Sequence, residues 1–252
     1  MKRFVQLTFV LTFAALPCGA QDKIDGFLGR VYKNRSGQTL PYRLFIPPTY
    51  DSKKKYPLVL WLHGAGSVGN DNKKQISEWS IPGTHLWTKP ENQTKYPVFV
   101  VAPQCPASET CWDDPDANAL GKELVLVLDI LDSIQKEFSI DAQRLYAAGQ
   151  SMGGYGTWSL ITKRPNVFAA AIPLCGGGKP ALAARAAKTP IWAFHGDADD
   201  DVPVGETRNM ITAVRKAGGV PRYTEYKGMG HEIWDRVFKE PDLVDWLFAQ
   251  HK

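Results

Sequence analysis

Residues 149–153 read Gly-Gln-Ser-Met-Gly, a spacing of residue types that can turn a serine hydroxyl into a nucleophile. In the pattern G-x-S-x-G the serine occupies a sharp, strained turn, and side chains two residues to either side would collide. An apolar run at residues 145–148 precedes the motif, and a segment compatible with a helix follows it. This context predicts Ser151 as a nucleophile rather than as a surface serine in a glycine turn.

A serine hydroxyl is a poor nucleophile unless a base takes its proton, and histidine suits this task because its pKa lies near neutrality. Of the five histidines, His231 lies in a glycine-rich loop after the last predicted strand. The chain order serine, acid, histidine selects it as the base. His63 and His195 each precede a glycine at the end of an apolar strand, where we expect a histidine to order the loop.

The carboxylate that orients the base should follow a strand between Ser151 and His231. Residues 195–201 offer four aspartates in close succession. The spacing within this segment favours Asp199, with Asp197 as the alternative. The remaining two are expected to serve in turns or as helix caps.

The oxyanion formed during acyl transfer needs hydrogen-bond donors that already point at it. The N–H of Met152, directly after the nucleophile, is one expected donor. The other should come from the loop at residues 62–66, where we select the N–H of Ala65 and keep Gly66 as the alternative. No metal or cofactor is expected at such a site.

We expect substrate contacts from tryptophans in the loops that follow predicted strands. In a fold built on a parallel sheet, these loops lie at the carboxyl ends of the strands, where ligands bind. We expect Trp112 and Trp87 to line an acyl or aromatic pocket, and Gln150 to contact substrate beside the nucleophile. Two further tryptophans, Trp79 and Trp234, lie in loops of the same kind.

Short apolar runs in the sequence predict the strands that position these residues. Residues 27–34 and 40–46 alternate around a Ser-Gly turn, which predicts a β-hairpin. Later runs are continuously apolar and separated by helical stretches, a pattern typical of a parallel sheet covered on both faces. We therefore predict an α/β fold with a mostly parallel sheet of about eight strands, forming a single domain over residues 21–252. The later strand runs are residues 58–62, 98–102, 145–148, 169–174, 191–194 and 223–226.

Residues 1–20 have a different character, with a basic start, an apolar stretch too short to span a bilayer and a small-residue end. This layout predicts a secretory signal peptide and a secreted or periplasmic protein. The segment holds two basic and no acidic residues, so cleavage would lower the net charge from +4 to +2. A mature protein this close to neutral has no electrostatic basis for binding nucleic acid or an anionic membrane.

Three cysteines remain after such a cleavage, and export permits a disulfide. Cys105 and Cys111 lie six residues apart around a Pro-Ala-Ser loop and are the favoured pair. The alternative joins Cys105 to Cys175, since both follow apolar strands. No spacing of cysteine and histidine indicates a zinc site.

Six motifs in order resemble those of the carboxylesterase/phospholipase type of α/β-hydrolases. The chain is most similar to secreted esterases related to polyhydroxybutyrate depolymerases and to feruloyl and acetylxylan esterases. The resemblance implies an α/β-hydrolase fold and a triad of Ser151, Asp199 and His231. The motifs are Leu-His-Gly-Ala-Gly at 62–66, Ala-Pro-Gln-Cys-Pro at 102–106, Gly-Gln-Ser-Met-Gly-Gly-Tyr-Gly at 149–156, Leu-Cys-Gly-Gly-Gly at 174–178, His-Gly-x-x-Asp-x-x-Val-Pro at 195–203 and Gly-His-Glu at 230–232.

The function implied is a secreted serine esterase that hydrolyses feruloyl, acetyl or short-chain esters, small or linked to polysaccharide, through an acyl-enzyme. The alternatives are a serine peptidase of the prolyl-oligopeptidase-like group, for whose propeller the chain lacks room, and a polyhydroxyalkanoate depolymerase. A dienelactone hydrolase is excluded because such enzymes place cysteine at the position of Ser151. A binding module without activity would be expected to lose a triad member.

Overall fold

The computed structural model describes residues 22–77, 80–106, 111–112 and 117–252. The predicted leader at residues 1–20 and Trp79 lie outside these described residues. Within them, no helix combines the length and the apolar character that crossing a bilayer requires.

A mixed sheet of nine strands forms the centre of the described chain, in the order β1-β2-β3-β5-β4-β6-β7-β8-β9. The predicted hairpin is confirmed as β2 and β3, which pair antiparallel, and β3 also pairs antiparallel with β5. From β5 onward all neighbours are parallel. The strand that the prediction missed is β1, only two residues long. The bounds are β1 (Lys23–Ile24), β2 (Phe27–Lys33), β3 (Thr39–Phe45), β4 (Tyr56–Leu62), β5 (Phe99–Pro103), β6 (Ile140–Gln150), β7 (Ala170–Leu174), β8 (Trp192–Gly196) and β9 (Arg222–Tyr226).

Helices cover both faces of this sheet. Leu58 and Leu60 of β4 belong to the core cluster that contains apolar residues of α3, α4 and α5, while Val59 and Trp61 belong to the cluster that contains residues of α1, α6 and α7. Every residue of β4 is therefore buried, which explains its unbroken apolar sequence. The helices are α1 (Ile81–Thr88), α2 (Pro90–Lys95), α3 (Lys122–Glu137), α4 (Met152–Lys163), α5 (Gly205–Lys216), α6 (Trp234–Val237) and α7 (Leu243–Phe248).

The parallel strands bring the predicted site residues to one edge of the sheet. Strands β4, β6, β7, β8 and β9 all end there, so the loops that follow them are neighbours. The loop after β4 carries Ala65, and the turn after β6 carries Ser151. The loops after β8 and β9 carry Asp199 and His231. The topology thus assembles residues that are up to 166 positions apart in the chain.

The disulfide joins Cys105 to Cys111, the pair that the sequence favoured, with their Cα atoms 6.0 Å apart. This separation lies within the usual range for a disulfide. Cys175 is a free, buried thiol at the end of β7, and burial raises its pKa. The alternative pairing of Cys105 with Cys175 is therefore wrong.

Candidate active site

Ser151 occupies a strained turn between β6 and α4. Its φ of 55° and ψ of −120° put a residue with a side chain in a region that non-glycine residues rarely adopt. Hydrogen bonds hold it there, since its N–H donates to the Leu174 carbonyl at 2.9 Å and its carbonyl accepts the N–H of Tyr155 at 3.1 Å. Strain of this kind costs about 1–3 kcal/mol and persists where the surrounding structure enforces it.

The two glycines of the motif are required by close backbone packing. A Cβ atom on Gly149 would overlap the carbonyl group of Gly153. A Cβ atom on Gly153 would overlap the carbonyl group of Leu62, at the end of β4. The expected collision on both sides of the serine is thus visible as contacts with backbone, which cannot move aside as a flexible side chain can.

Gly153→Ala is expected to lower the free energy of unfolding by about 3 kcal/mol or more, because the new methyl group must displace the backbone of β4. Urea unfolding measures this change. Gly205→Ala is the matched control at the first position of α5, where a Cβ atom meets nothing within 4 Å. We expect the control to change stability by no more than about 0.5 kcal/mol. Equal stability of the two variants would contradict the packing explanation.

Three predicted side chains form a continuous hydrogen-bonded chain. The Nε2 atom of His231 lies 2.9 Å from the Oγ atom of Ser151, and its Nδ1 atom lies 2.7 Å from the Oδ2 atom of Asp199. An ionised carboxylate can only accept, so Nδ1 carries the hydrogen and Nε2 presents a lone pair to the serine hydroxyl. This arrangement can remove the hydroxyl proton during nucleophilic attack.

The carboxylate of Asp199 is fixed from both of its oxygen atoms. Oδ1 accepts the N–H groups of Asp201 at 3.0 Å and Val202 at 2.8 Å, while Oδ2 accepts from His231. Burial alone raises the pKa of Asp199, but the hydrogen bonds from His231 and Val202 outweigh it and hold that pKa below its usual value. Asp197, the alternative acid, instead accepts the N–H of Gly228 at 2.6 Å.

His63 orders the loop after β4, as expected. Its Nδ1–H donates to the Gly64 carbonyl at 2.7 Å, and its Nε2 accepts the N–H of Cys105 at 3.0 Å. Burial lowers the pKa of His63 to about 4, so the ring is neutral at pH 7. The indole N–H of Trp112 donates to the His63 carbonyl at 2.8 Å, which links the disulfide loop to the same turn.

A cavity of about 400 Å³ opens beside the serine hydroxyl. A Cβ atom on Gly64 would lie 3.4 Å from the Cβ atom of Ser151, so the loop after β4 passes close to the nucleophile. Met152 is the first residue of α4, where an N–H has no acceptor within its own helix. The lining residues are Gly64, Ala65, Gly66, Ser67, Gln150, Ser151, Asp201, Val202, His231, Glu232 and Trp234. Ala65 and Gly66, the two candidates for an oxyanion donor, and Gln150, the expected substrate contact, are thus among the lining residues.

The tryptophans require a correction. Trp87 and Trp112 have no exposed surface and do not line the cavity, so their expected contact with substrate is wrong. Trp87 lies in α1 rather than in a loop and packs against Phe248 in the core. Trp112 packs against His63, with ring centroids 5.0 Å apart. Trp234 does line the cavity, and its ring meets that of His231 edge to face at 5.4 Å.

Several lining residues were not selected from the sequence. Ser67, Val202 and Glu232 reach the cavity from loops whose course depends on tertiary packing. Ser67 directly follows Gly66, whereas Val202 and Glu232 belong to the motifs at 195–203 and 230–232, and these positions are the signals that could have indicated them.

The chain is similar in sequence and in fold to known esterases. The family model "Esterase" matches residues 34–233. The bifunctional acetylxylan esterase/xylanase XynS20E of Neocallimastix patriciarum is 30% identical over 197 residues, which are 78% of this chain and 27% of that protein. "Probable feruloyl esterase C" of Aspergillus terreus is 32% identical over 136 residues, which are 54% of this chain and 46% of that protein. This chain thus spans less than half the length of these two relatives.

A solved structure, described as that of a thermostable esterase, superposes with a TM-score of 0.86 at 38% identity, covering 91% of this chain and 64% of that one. The expected α/β-hydrolase fold is confirmed by this similarity and by the order of strands. The family model spans most of the chain and includes every residue of the hydrogen-bonded chain described above. This protein belongs to the Esterase family.

Proposed function

We propose that this protein is a secreted serine hydrolase that cleaves carboxylic esters through an acyl-enzyme formed on Ser151. The observation that carries the proposal is the chain of hydrogen bonds from Ser151 through His231 to Asp199, which opens on a cavity in a member of the Esterase family. The predicted leader at residues 1–20 supports a secreted or periplasmic location.

In the first half of the reaction, the Ser151 oxygen attacks the ester carbonyl carbon while Nε2 of His231 takes the hydroxyl proton. Asp199 stabilises the imidazolium that results. His231 then gives this proton to the alcohol oxygen as the carbon–oxygen bond breaks, leaving the acyl group on Ser151. A water molecule attacks the acyl-enzyme in the second half, with the same histidine as base, and releases the acid.

The negative oxygen of each tetrahedral intermediate needs donors fixed in advance. We assign this role to the N–H groups of Ala65 and Met152, with Gly66 as the alternative to Ala65. Ala65 lines the cavity, and Met152 lies at the N-terminal, partly positive end of α4. His63 supports the assignment, because its hydrogen bond to Gly64 and the one from Cys105 fix the loop that carries Ala65.

Feruloyl, acetyl and other short-chain esters are the proposed substrates, either small or attached to polysaccharide. The names of the two relatives, an acetylxylan esterase/xylanase and a feruloyl esterase, support this class. The cavity of about 400 Å³ has room for an aromatic acyl group, and Trp234 offers it an apolar surface. A polyhydroxyalkanoate depolymerase and a serine peptidase remain the alternatives.

Labelling and a substrate panel together test the proposal. A fluorophosphonate should attach to Ser151 alone, as identified by mass spectrometry of the labelled peptide. The panel compares methyl ferulate, acetylated xylan, a hydroxyalkanoate oligomer, p-nitrophenyl butyrate and a peptide amide of matched size. We expect the aryl and acetyl esters to be hydrolysed and the amide to be left intact. Labelling at another serine, or faster cleavage of the amide, would contradict the proposal.

Trp234→Ala is expected to raise KM for methyl ferulate about tenfold, the equivalent of one lost aromatic contact of about 1.4 kcal/mol. KM for an acetyl ester should change little, because an acetyl group has no aromatic ring to pack against Trp234. Trp234→Phe is the matched control, since it keeps an aromatic surface in the cavity. Steady-state kinetics on both substrates check this. An equal fall in kcat for both esters would show instead that Trp234 supports His231.

A further inference from the structure

Asp199 contacts two imidazole rings. Its Oδ2 atom lies 2.7 Å from Nδ1 of His231 and 3.2 Å from Nε2 of His195. The side chains of His195 and Asp199 have no exposed surface. The proton transfers proposed above do not use His195, which is the penultimate residue of β8 and lies four residues before Asp199.

The acceptors around His195 call for a hydrogen on each ring nitrogen. Thr207 Oγ1 lies 2.6 Å from the Gly176 carbonyl, which can only accept, so the hydroxyl hydrogen is directed there. Nδ1 of His195 lies 2.7 Å from the same Oγ1 and must therefore donate to it. Nε2 lies 2.9 Å from the Val202 carbonyl and must donate as well. Both ring nitrogens then carry a hydrogen.

A neutral ring cannot satisfy these contacts. A neutral imidazole has only one N–H. One of the three contacts, Nδ1 to Thr207, Nε2 to Val202 or Thr207 to Gly176, would then place two buried lone pairs against each other without a hydrogen between them. Burial, with a smaller contribution from His231, lowers the pKa of His195 and opposes the second proton, whereas the Val202 carbonyl and the Asp199 carboxylate act in the other direction and the hydrogen-bond geometry requires that proton. The adjacent carboxylate supplies the opposite charge that a buried imidazolium requires.

The groups around His195 leave Asp199 as its counter-ion. Cys175 is a buried thiol whose pKa is raised by burial. Glu225 on β9 is already paired with Arg208, whose two side-chain hydrogen bonds lower the pKa of Glu225 to about 2. Among the residues that the structure describes, the titratable groups near His195 are Asp199 in the loop after β8, Cys175 after β7, Glu225 on β9 and His231 after β9.

We propose that His195 is held as an imidazolium and acts as a positioning residue, which fixes the Asp199 carboxylate and shares its charge with His231. This role rests on the proposed function, in which Asp199 orients the base. Cys175, His195 and Asp199 have ligand atoms within 4.8 Å of one another, a spacing that could suggest a metal ion. A ring that donates through both nitrogens has no lone pair for a metal, which favours the ion pair.

Nitrogen NMR tests the protonation state without any turnover. Long-range ¹H–¹⁵N correlation spectra of the full chain, labelled with ¹⁵N-histidine, should show both nitrogens of His195 as protonated at pH 7.5. Through-bond assignment makes a His195 variant unnecessary. His63, which is neutral, provides an internal comparison with one protonated nitrogen. One unprotonated nitrogen on His195 would overturn the proposal.

Two variants test the effect on catalysis. Thr207→Val removes the acceptor of the Nδ1 hydrogen at constant shape, and His195→Gln removes the charge. In both, the acidic limb of the kcat/KM profile for p-nitrophenyl butyrate should move to higher pH by about half a unit or more, because a cation no longer opposes protonation of His231. We expect kcat to fall about tenfold with KM unchanged.

A role limited to packing would lower kcat without moving the acidic limb, and that result would overturn the proposal. If His195→Gln does not fold, Thr207→Val and the NMR measurement still decide. Failure of this inference leaves fluorophosphonate labelling of Ser151 unaffected, so the inference and the proposed function can fail separately.

Discussion

Ser151→Ala is expected to lower kcat for p-nitrophenyl butyrate by about 10⁵-fold or more, because the variant has no atom that can form the acyl-enzyme. The remaining donors and the cavity should still bind the ester, so KM should change far less than kcat. Initial rates at high enzyme concentration measure the residual activity. Mass spectrometry should also show that the variant no longer reacts with a fluorophosphonate.

Ser159→Ala is the matched control for this result. Ser159 is a buried serine of the same helix, α4, and does not line the cavity. The control should keep nearly full activity. An active Ser151→Ala enzyme, with folding and purity verified against the Ser159→Ala protein, would remove Ser151 from the mechanism.

The strands could be predicted because burial on both faces leaves a direct record in the sequence. Each residue of β4 and β5 is buried, and each strand reads as a continuous apolar run. The glycines of the serine turn are predictable for a related reason. Close backbone approach excludes any side chain, so residue type alone reports the geometry at Gly149 and Gly153.

The cavity lining was less predictable because it depends on where helices dock. No helix was predicted between the strand runs at 58–62 and 98–102, yet α1 and α2 form there and Trp87 is buried in the core. A large ring gains similar burial in a core or in a pocket, so its residue type does not distinguish the two. The role of His195 could not be predicted from the sequence for a similar reason. The sequence places it at the end of β8, but its contact with Asp199 depends on how residues 197–201 fold back.

Asp197 and Asp199 are only two residues apart, yet their carboxylates have different hydrogen-bond partners. Asp197 follows β8 immediately and accepts the N–H of Gly228, at the start of the loop that carries His231. Asp199 lies two residues further along the loop. Two backbone N–H groups of that loop bind its Oδ1 atom, which leaves Oδ2 for the imidazole of His231. Asp197 supports the loop, while Asp199 can control the hydrogen on the ring.

Asp199→Asn is expected to lower kcat by about 10⁴-fold with little change in KM. The backbone N–H groups of Asp201 and Val202 will bind the amide oxygen, so the NH₂ group must face Nδ1 of His231. Nδ1 then accepts a hydrogen bond, and the ring hydrogen moves to Nε2, which can no longer take the proton of Ser151. Rates with p-nitrophenyl butyrate across pH 6–9 measure the loss.

Asp197→Asn provides the control, because it makes the same chemical change two residues away without contact to the imidazole. The amide oxygen of this variant can still accept the N–H of Gly228, so we expect activity within about threefold of the native protein. A loss at Asp197 as large as that at Asp199 would show that charge in this loop, rather than the hydrogen on one ring nitrogen, sets the rate. A reversed order of the two effects would make Asp197 the acid and would mean that the contact between Asp199 and His231 does not govern catalysis.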